Sequence, residues 1–411
     1  MFIKKSLVSF TITGGGVLVS FLNTILLARL FGVETLGVLS ILLAYSFIGS
    51  SLIKLGVQNL VLREAGGVSW NMNELLCYMG CILMLSTVFF LFIGYFLGGF
   101  FEYDKILVVS ITIFLIVFND FSIAILRGFF SPNLAQMLEV IVRPFLMLFL
   151  SLLIYIYGFS IDELIFVPAI SYGISWIVVV FYISYSYRSK ESGPLSLSGF
   201  RRFLSQTFSS YLSLGATAIA SQSFQNIFIL IVDWVTGPLA VGLVRIALQF
   251  GTLVNLASVS INSLYSTTMA DFYRRKRFDK LLFLQKKSQI FMGSISLGIF
   301  MVVFSSSFFV PILFDFGGYE ELAWVAITLV SSAYLFQGIV GPCGNILNMV
   351  GRQSINFIAF LTGNLVLLLT GFLGQYIDIS VFELCGLFSF LLLSVSILQW
   401  TKVNQIISKR I

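Results

Sequence analysis

Four cations and one acid are written into otherwise apolar stretches of this chain: Arg29, Lys54, Arg143, Arg245 and Asp120. A charge near the middle of a bilayer costs roughly 2.5–3.5 kcal/mol on insertion scales, so such residues point to function. Four cations less one acid leave a net charge of +3 inside the apolar segments. A wet passage of that sign attracts and partly desolvates an anion, most naturally a phosphate, a pyrophosphate or an acidic sugar. The planar fork of arginine suits phosphate oxygens in particular. Depth separates the five. Arg29 lies near the outer end of its segment and is within snorkelling reach of the surface. Lys54 falls in the cytoplasmic half of the second segment. Arg143 is followed by Pro144, which removes a helix hydrogen bond and permits a kink. Arg245 lies about two turns below the outer end of the eighth segment. Asp120 is deep in the fourth, where it either neutralises one of these cations or couples transport to an ion.

Helical periodicity gives these charges polar company. Ser40, Ser51, Lys54 and Gln58 share one stripe; Arg245, Gln249 and Thr252 share another, with Asn255 adjacent. Gln222, Gln225 and Asn226 cluster at i, i+3 and i+4. In lipid such stripes point inward, toward neighbouring helices or water. For the amides, interhelical hydrogen bonding and substrate contact are equally open readings. The candidate substrate-binding set is therefore Arg29, Lys54, Arg143, Arg245, Gln222, Gln225, Asn226 and Gln249, with Asp120 as the candidate for ion coupling.

The elements that must carry these residues are membrane helices. The 411 residues are 58% apolar and only 10% charged, with 44 phenylalanines and no histidine. Soluble domains carry about 25% charged residues, so the solvent here is lipid. About 20 apolar residues cross a bilayer. Twelve such segments lie near 6–31, 36–62, 74–98, 106–127, 134–157, 164–187, 205–232, 238–270, 284–314, 321–348, 353–376 and 380–404. The apolar run after Met1–Lys5 is too long for a cleaved signal and reads as a retained first span. With the N-terminus in the cytoplasm, Lys105 alone falls in an outside loop and Arg29, Lys54, Arg143 and Arg245 lie within spans. Every other one of the 24 lysines and arginines then faces the cytoplasm. Outside loops instead collect acids such as Glu34, Asp104, Asp162, Asp233 and Asp378. Lys and Arg retention predicts this sorting, with both termini inside. It also accounts for the net charge of +6 without a nucleic-acid partner. Of the two largest cytoplasmic loops, Asp271–Lys287 reads as a basic amphipathic segment lying on anionic headgroups.

The chain repeats. Ile25–Gly67 ends one apolar helix, breaks at Gly32, Glu34, Thr35 and Gly37, and begins a second. The layout returns about two hundred residues later, with Asp233, Gly237 and Pro238 in the break and Arg245 beyond it. The Ser/Gly/Pro composition after the sixth span marks the join. The organisation is thus 1–190 as one six-helix bundle, 191–204 as a cytoplasmic connector and 205–411 as a second bundle. Because six spans return the chain to its starting side, the repeats are parallel, related by a pseudo-two-fold axis along the membrane normal. Gly14–Gly16 in the first span and Gly338–Gly344 in the tenth are backbone breaks that neighbours or water must satisfy. The four cysteines, Cys77, Cys81, Cys343 and Cys385, lie in apolar segments with nothing nearby to complete a metal site, and no cofactor is implied.

LLARLFGVETLGVLSILLAY with LGVQNLVLREAG, then DWVTGPLAVGLVRIALQF, then FGGYEELAWVAITL leading to GNILNMVGRQ, resembles the Wzx-type lipid-linked oligosaccharide flippases. These form the polysaccharide transporter branch of the superfamily that also holds the multidrug-and-toxin exporters. The resemblance covers essentially the whole chain. It implies an all-α membrane protein of twelve helices in two six-helix bundles around a central V-shaped cavity. It implies a substrate too: an O-antigen or similar repeat unit on undecaprenyl pyrophosphate, turned from the cytoplasmic to the periplasmic leaflet of the bacterial inner membrane. Polymerase and chain-length components of the same pathway are the further partners, beside membrane lipids. Lys54 and Arg245 match the family's cationic groups on the second and eighth spans.

Two rivals stand beside this reading. An ion-coupled multidrug exporter of the same fold calls for acidic groups where this chain places basic ones. A membrane enzyme calls for histidines, paired carboxylates or a long outside loop, and the sequence offers none of these.

Overall fold

The computed structural model describes residues 2–54, 88, 103–159, 161–187, 197–310, 314, 316 and 320–408. Among the described residues every regular element is helical. In chain order these are α1 (Phe2–Phe31), α2 (Val33–Lys54), α3 (Tyr103–Ile125), α4 (Pro132–Met137), α5 (Arg143–Tyr157), α6 (Val167–Tyr187) and α7 (Leu197–Thr236). They continue with α8 (Pro238–Val254), α9 (Leu256–Arg274), α10 (Phe278–Ser307), α11 (Glu320–Val340), α12 (Cys343–Met349), α13 (Gln353–Leu373) and α14 (Val381–Ser408). Among the described residues ten spans are long and apolar enough to cross a membrane, and the bent pair Pro238–Val254 and Leu256–Asn262 makes an eleventh. They match eleven of the twelve expected segments in order. Of the remaining one, 74–98, only Val88 is among the described residues, and Gln58, Cys77 and Cys81 lie outside them.

Lipid is the only solvent that suits the outer faces of these helices. On α10, Phe283, Ile290, Phe291, Leu297, Met301 and Phe304 are all exposed. An apolar surface of that extent is not stable in water. The chain is a multi-pass membrane protein.

Two compact units are present: Met1–Ala44 with Phe224–Ile411, and Tyr45–Ser223. Their limits fall within α2 and α7. In the first unit Phe388 of α14 stacks on Phe224 and Phe228 of α7, with ring centroids 5.2 and 4.4 Å apart. In the second, Phe118 of α3 meets Trp176 of α6 edge to face at 5.7 Å.

Four local features depart from the sequence expectation. The eighth span is not one helix: α8 and α9 meet at Asn255 with a bend of 56°. The carbonyl of Val254 at that bend accepts a hydrogen bond from the Ser296 hydroxyl at 2.8 Å, which satisfies that acceptor. Residues 271–287 do not form a separate surface helix. α9 runs to Arg274, a tight turn follows in which Lys276 has φ +56°, and α10 starts at Phe278 and continues unbroken into the membrane. Its lower turns bury Leu281, Leu284 and Gln285, which holds it upright. Part of the connector, from Leu197, is already helical and runs straight into the seventh span. The break expected at Gly338–Gly344 is present, between α11 and α12. Gln289 donates to the Val340 carbonyl at 2.8 Å and Asn356 to the Gly344 carbonyl at 2.7 Å, which satisfies the interrupted ladder. Gly14–Gly16, in contrast, sit in continuous helix within α1.

Candidate functional site: a buried charge cluster

Four helices of the second unit converge on one buried cluster. Lys54 ends α2, and its ammonium donates to Asp120 Oδ2 of α3 at 2.7 Å. Arg143, the first residue of α5, places Nη1 3.9 Å from the other carboxylate oxygen. The same guanidinium lies over the ring of Tyr172 in α6, with Cζ 4.7 Å from the ring centre. That distance is well inside cation–π range. Phe47 of α2 meets Tyr172 edge to face at 6.5 Å. Lys54 and Asp120 are 7% and 9% exposed, so water screens the pair little. Lys54, Asp120 and Arg143 together carry a net charge of +1.

The backbone around Arg143 is widened to place it. Leu138–Val142 forms a π-helical turn immediately before α5, and Pro144 follows at the start of that helix. Proline has no N–H to return to the preceding turn, and π-helical turns are a common local answer, frequent at functional sites. A second π-helical turn, Leu126–Phe130, closes the end of α3. An extended Ser131 then caps α4, its hydroxyl accepting from the Leu134 N–H at 3.4 Å. Arg127 and Glu139 pair across these two widened turns.

The other sequence candidates lie elsewhere. Arg29 sits exposed on the last turn of α1. Arg245 is half-buried on α8, within electrostatic reach of Tyr334 of α11, and Gln249 is buried one turn further along α8. Along α7, Gln222 is exposed while Gln225 and Asn226 are half-buried. The cluster thus unites Lys54, Arg143 and Asp120, and the carboxylate is held by the cations. Sequence reasoning missed Tyr172 and the Arg127–Glu139 pair. The signal for the former was a polar run, Ser171, Tyr172 and Ser175, in an otherwise apolar span; all three are buried. Chemically, two cations and an aromatic ring around one carboxylate make a seat for an anion that Asp120 now fills.

No protein-family model and no curated protein matches this chain. Solved structures do. The MATE multidrug transporter DinF-BH is similar with a TM-score of 0.73 at 16% identity, over 98% of this chain and 94% of that one. A MOP superfamily transporter from Pyrococcus furiosus, described by a binding pocket of reverse polarity that suggests a different function, gives 0.68 at 16% identity over 99% and 96%. Likeness at such identities speaks to architecture: the chain has the all-α fold of MATE family transporters of the MOP superfamily.

Proposed function

We propose that this protein is a flippase. It carries an O-antigen or similar polysaccharide repeat unit, linked to undecaprenyl pyrophosphate, from the cytoplasmic to the periplasmic leaflet of the bacterial inner membrane. The observation that carries this reading is the cluster itself, in which two cations share one carboxylate within apolar spans. Asp120 acts as an internal counter-ion for Lys54 and Arg143. Ion coupling at Asp120 alternates Lys54 and Arg143 between the carboxylate and the substrate's pyrophosphate. The polyprenyl tail stays in lipid while the glycan crosses through water, and Arg29, Arg245, Gln249, Gln222, Gln225 and Asn226 line that route. The halves 1–190 and 205–411, joined by 191–204, alternate in access, with both termini in the cytoplasm. Polymerase and chain-length components receive the product outside.

Deleting the gene in its host tests this. Surface polysaccharide is expected to disappear, lipid-linked repeat units to accumulate facing the cytoplasm, and both to revert on complementation. Unchanged polysaccharide combined with new sensitivity to cationic dyes would instead make the protein a multidrug exporter.

A further inference from the structure

The break between α1 and α2 and the break between α7 and α8 are one motif used twice, 205 residues apart. Gly32 has φ +90° and Gly237 has φ +89°, a region that L side chains rarely adopt. The first turn after each is closed by the same bond: the Leu36 N–H donates to the Gly32 carbonyl, and the Val241 N–H to the Gly237 carbonyl, each at 3.3 Å. Five residues beyond each left-handed glycine stands another glycine, Gly37 in α2 and Gly242 in α8.

These second glycines touch the opposite repeat, and they do so reciprocally. A Cβ on Gly37 would stand 1.9 Å from the carbonyl oxygen of Pro238. A Cβ on Gly242 would stand 2.1 Å from the carbonyl oxygen of Val33. Pro238 and Val33 are themselves equivalent positions, the first residue of α8 and of α2. Residue i of one repeat therefore meets residue j of the other while j meets i, the signature of contact across a two-fold axis. Here that axis relates two halves of one chain. Backbone lies directly on backbone, with the glycine Cα–H groups facing carbonyl oxygens, a close approach that only glycine permits. All four residues belong to the first compact unit.

Both contacts lie in the first turns of helices, so two positive dipole ends are brought together and work against the packing. Around them Val33, Leu36, Ala240 and Val241 are buried, which supplies the opposing attraction. The balance suits a surface that meets and parts. We propose that Gly37 and Gly242, with the backbone of Val33 and Pro238, form a pseudo-two-fold latch that closes the passage on the side carrying the α1–α2 and α7–α8 turns. The proposal rests on the transport role and topology given above, which make that side the outside.

The test reads the latch without any substrate. Spin labels at Glu34→Cys and Leu239→Cys, in a cysteine-free background reconstituted into liposomes, report the distance across the contact. With both glycines native, a short-distance and a long-distance population are expected. Gly37→Ala and Gly242→Ala, separately and together, are expected to abolish the short one, since a methyl cannot occupy space 1.9 Å from an oxygen. A single, invariant short distance in the native background would overturn the proposal by showing a fixed joint. So would a short population that survives both alanines. Native glycines supply the first readout, so a poorly folding alanine variant does not decide the matter. Loss of the latch with polysaccharide display untouched by gene deletion would separate failure of the substrate assignment from failure of the latch.

Discussion

Lys54→Glu is expected to abolish surface polysaccharide in cells that depend on this protein, and to lower its amount in the membrane as well. The new carboxylate would stand against Asp120, where the native ammonium is now 2.7 Å away. Removing one partner of a buried pair costs about 3–5 kcal/mol, and setting two like charges together adds to that. Lost display from this variant alone would therefore not separate folding from transport. The pair Lys54→Gln with Asp120→Asn does. It removes one charge of each sign and leaves Arg143 its contact with the Tyr172 ring, and replacing both members of a directly bonded pair is close to neutral for stability. Membrane levels, read by immunoblot, should return to near the native value while display stays absent, because Arg143 alone then faces the substrate. Restored display in the double variant would reduce Lys54 and Asp120 to a structural pair.

Arg245→Glu should be as damaging to transport and gentler on folding. Arg245 is only half-buried, so a reversed charge there is partly solvated, unlike one at Lys54. Reversal at this position places a negative charge on the route of a pyrophosphate. A drop of at least about tenfold in lipid-linked substrate flipped per protein is expected, equivalent to about 1.4 kcal/mol on the transport barrier. Arg245→Lys should keep part of the activity, since the point charge survives and the planar fork does not. Equal flipping by the arginine and glutamate forms in proteoliposomes would remove Arg245 from the substrate route.

Much of this was legible in the sequence because lipid makes composition and charge speak plainly. Apolar runs gave the spans, since a helix is the one structure that satisfies its own backbone in hydrocarbon. The depth of Asp120 gave it a cation to neutralise, and Lys54 is that cation, 66 residues earlier in the chain. Depth alone could not choose between Lys54, Arg143 and Arg245, because helix-to-helix pairing is a tertiary fact. Tyr172 escaped for a similar reason: a tyrosine in an apolar span is ordinary until a guanidinium lies over it. The bend at Asn255 was hidden because no proline marks it, and the hydroxyl that makes it tolerable comes from Ser296 on another helix. The basic turn at 275–277 misled through amphipathic periodicity, which fits a surface helix and the buried foot of a span equally well. The repeated glycines were visible as turn formers, but their meeting required coordinates.

Binding of undecaprenyl pyrophosphate to the purified protein, compared with undecaprenol, bears most directly on the idea that buried cations hold the pyrophosphate. The native protein should prefer the charged lipid by at least about tenfold, or about 1.4 kcal/mol. Asp120→Asn should strengthen that preference by withdrawing the internal competitor, and Lys54→Gln should weaken it. Equal affinity for the two lipids, or a preference indifferent to both substitutions, would contradict the account.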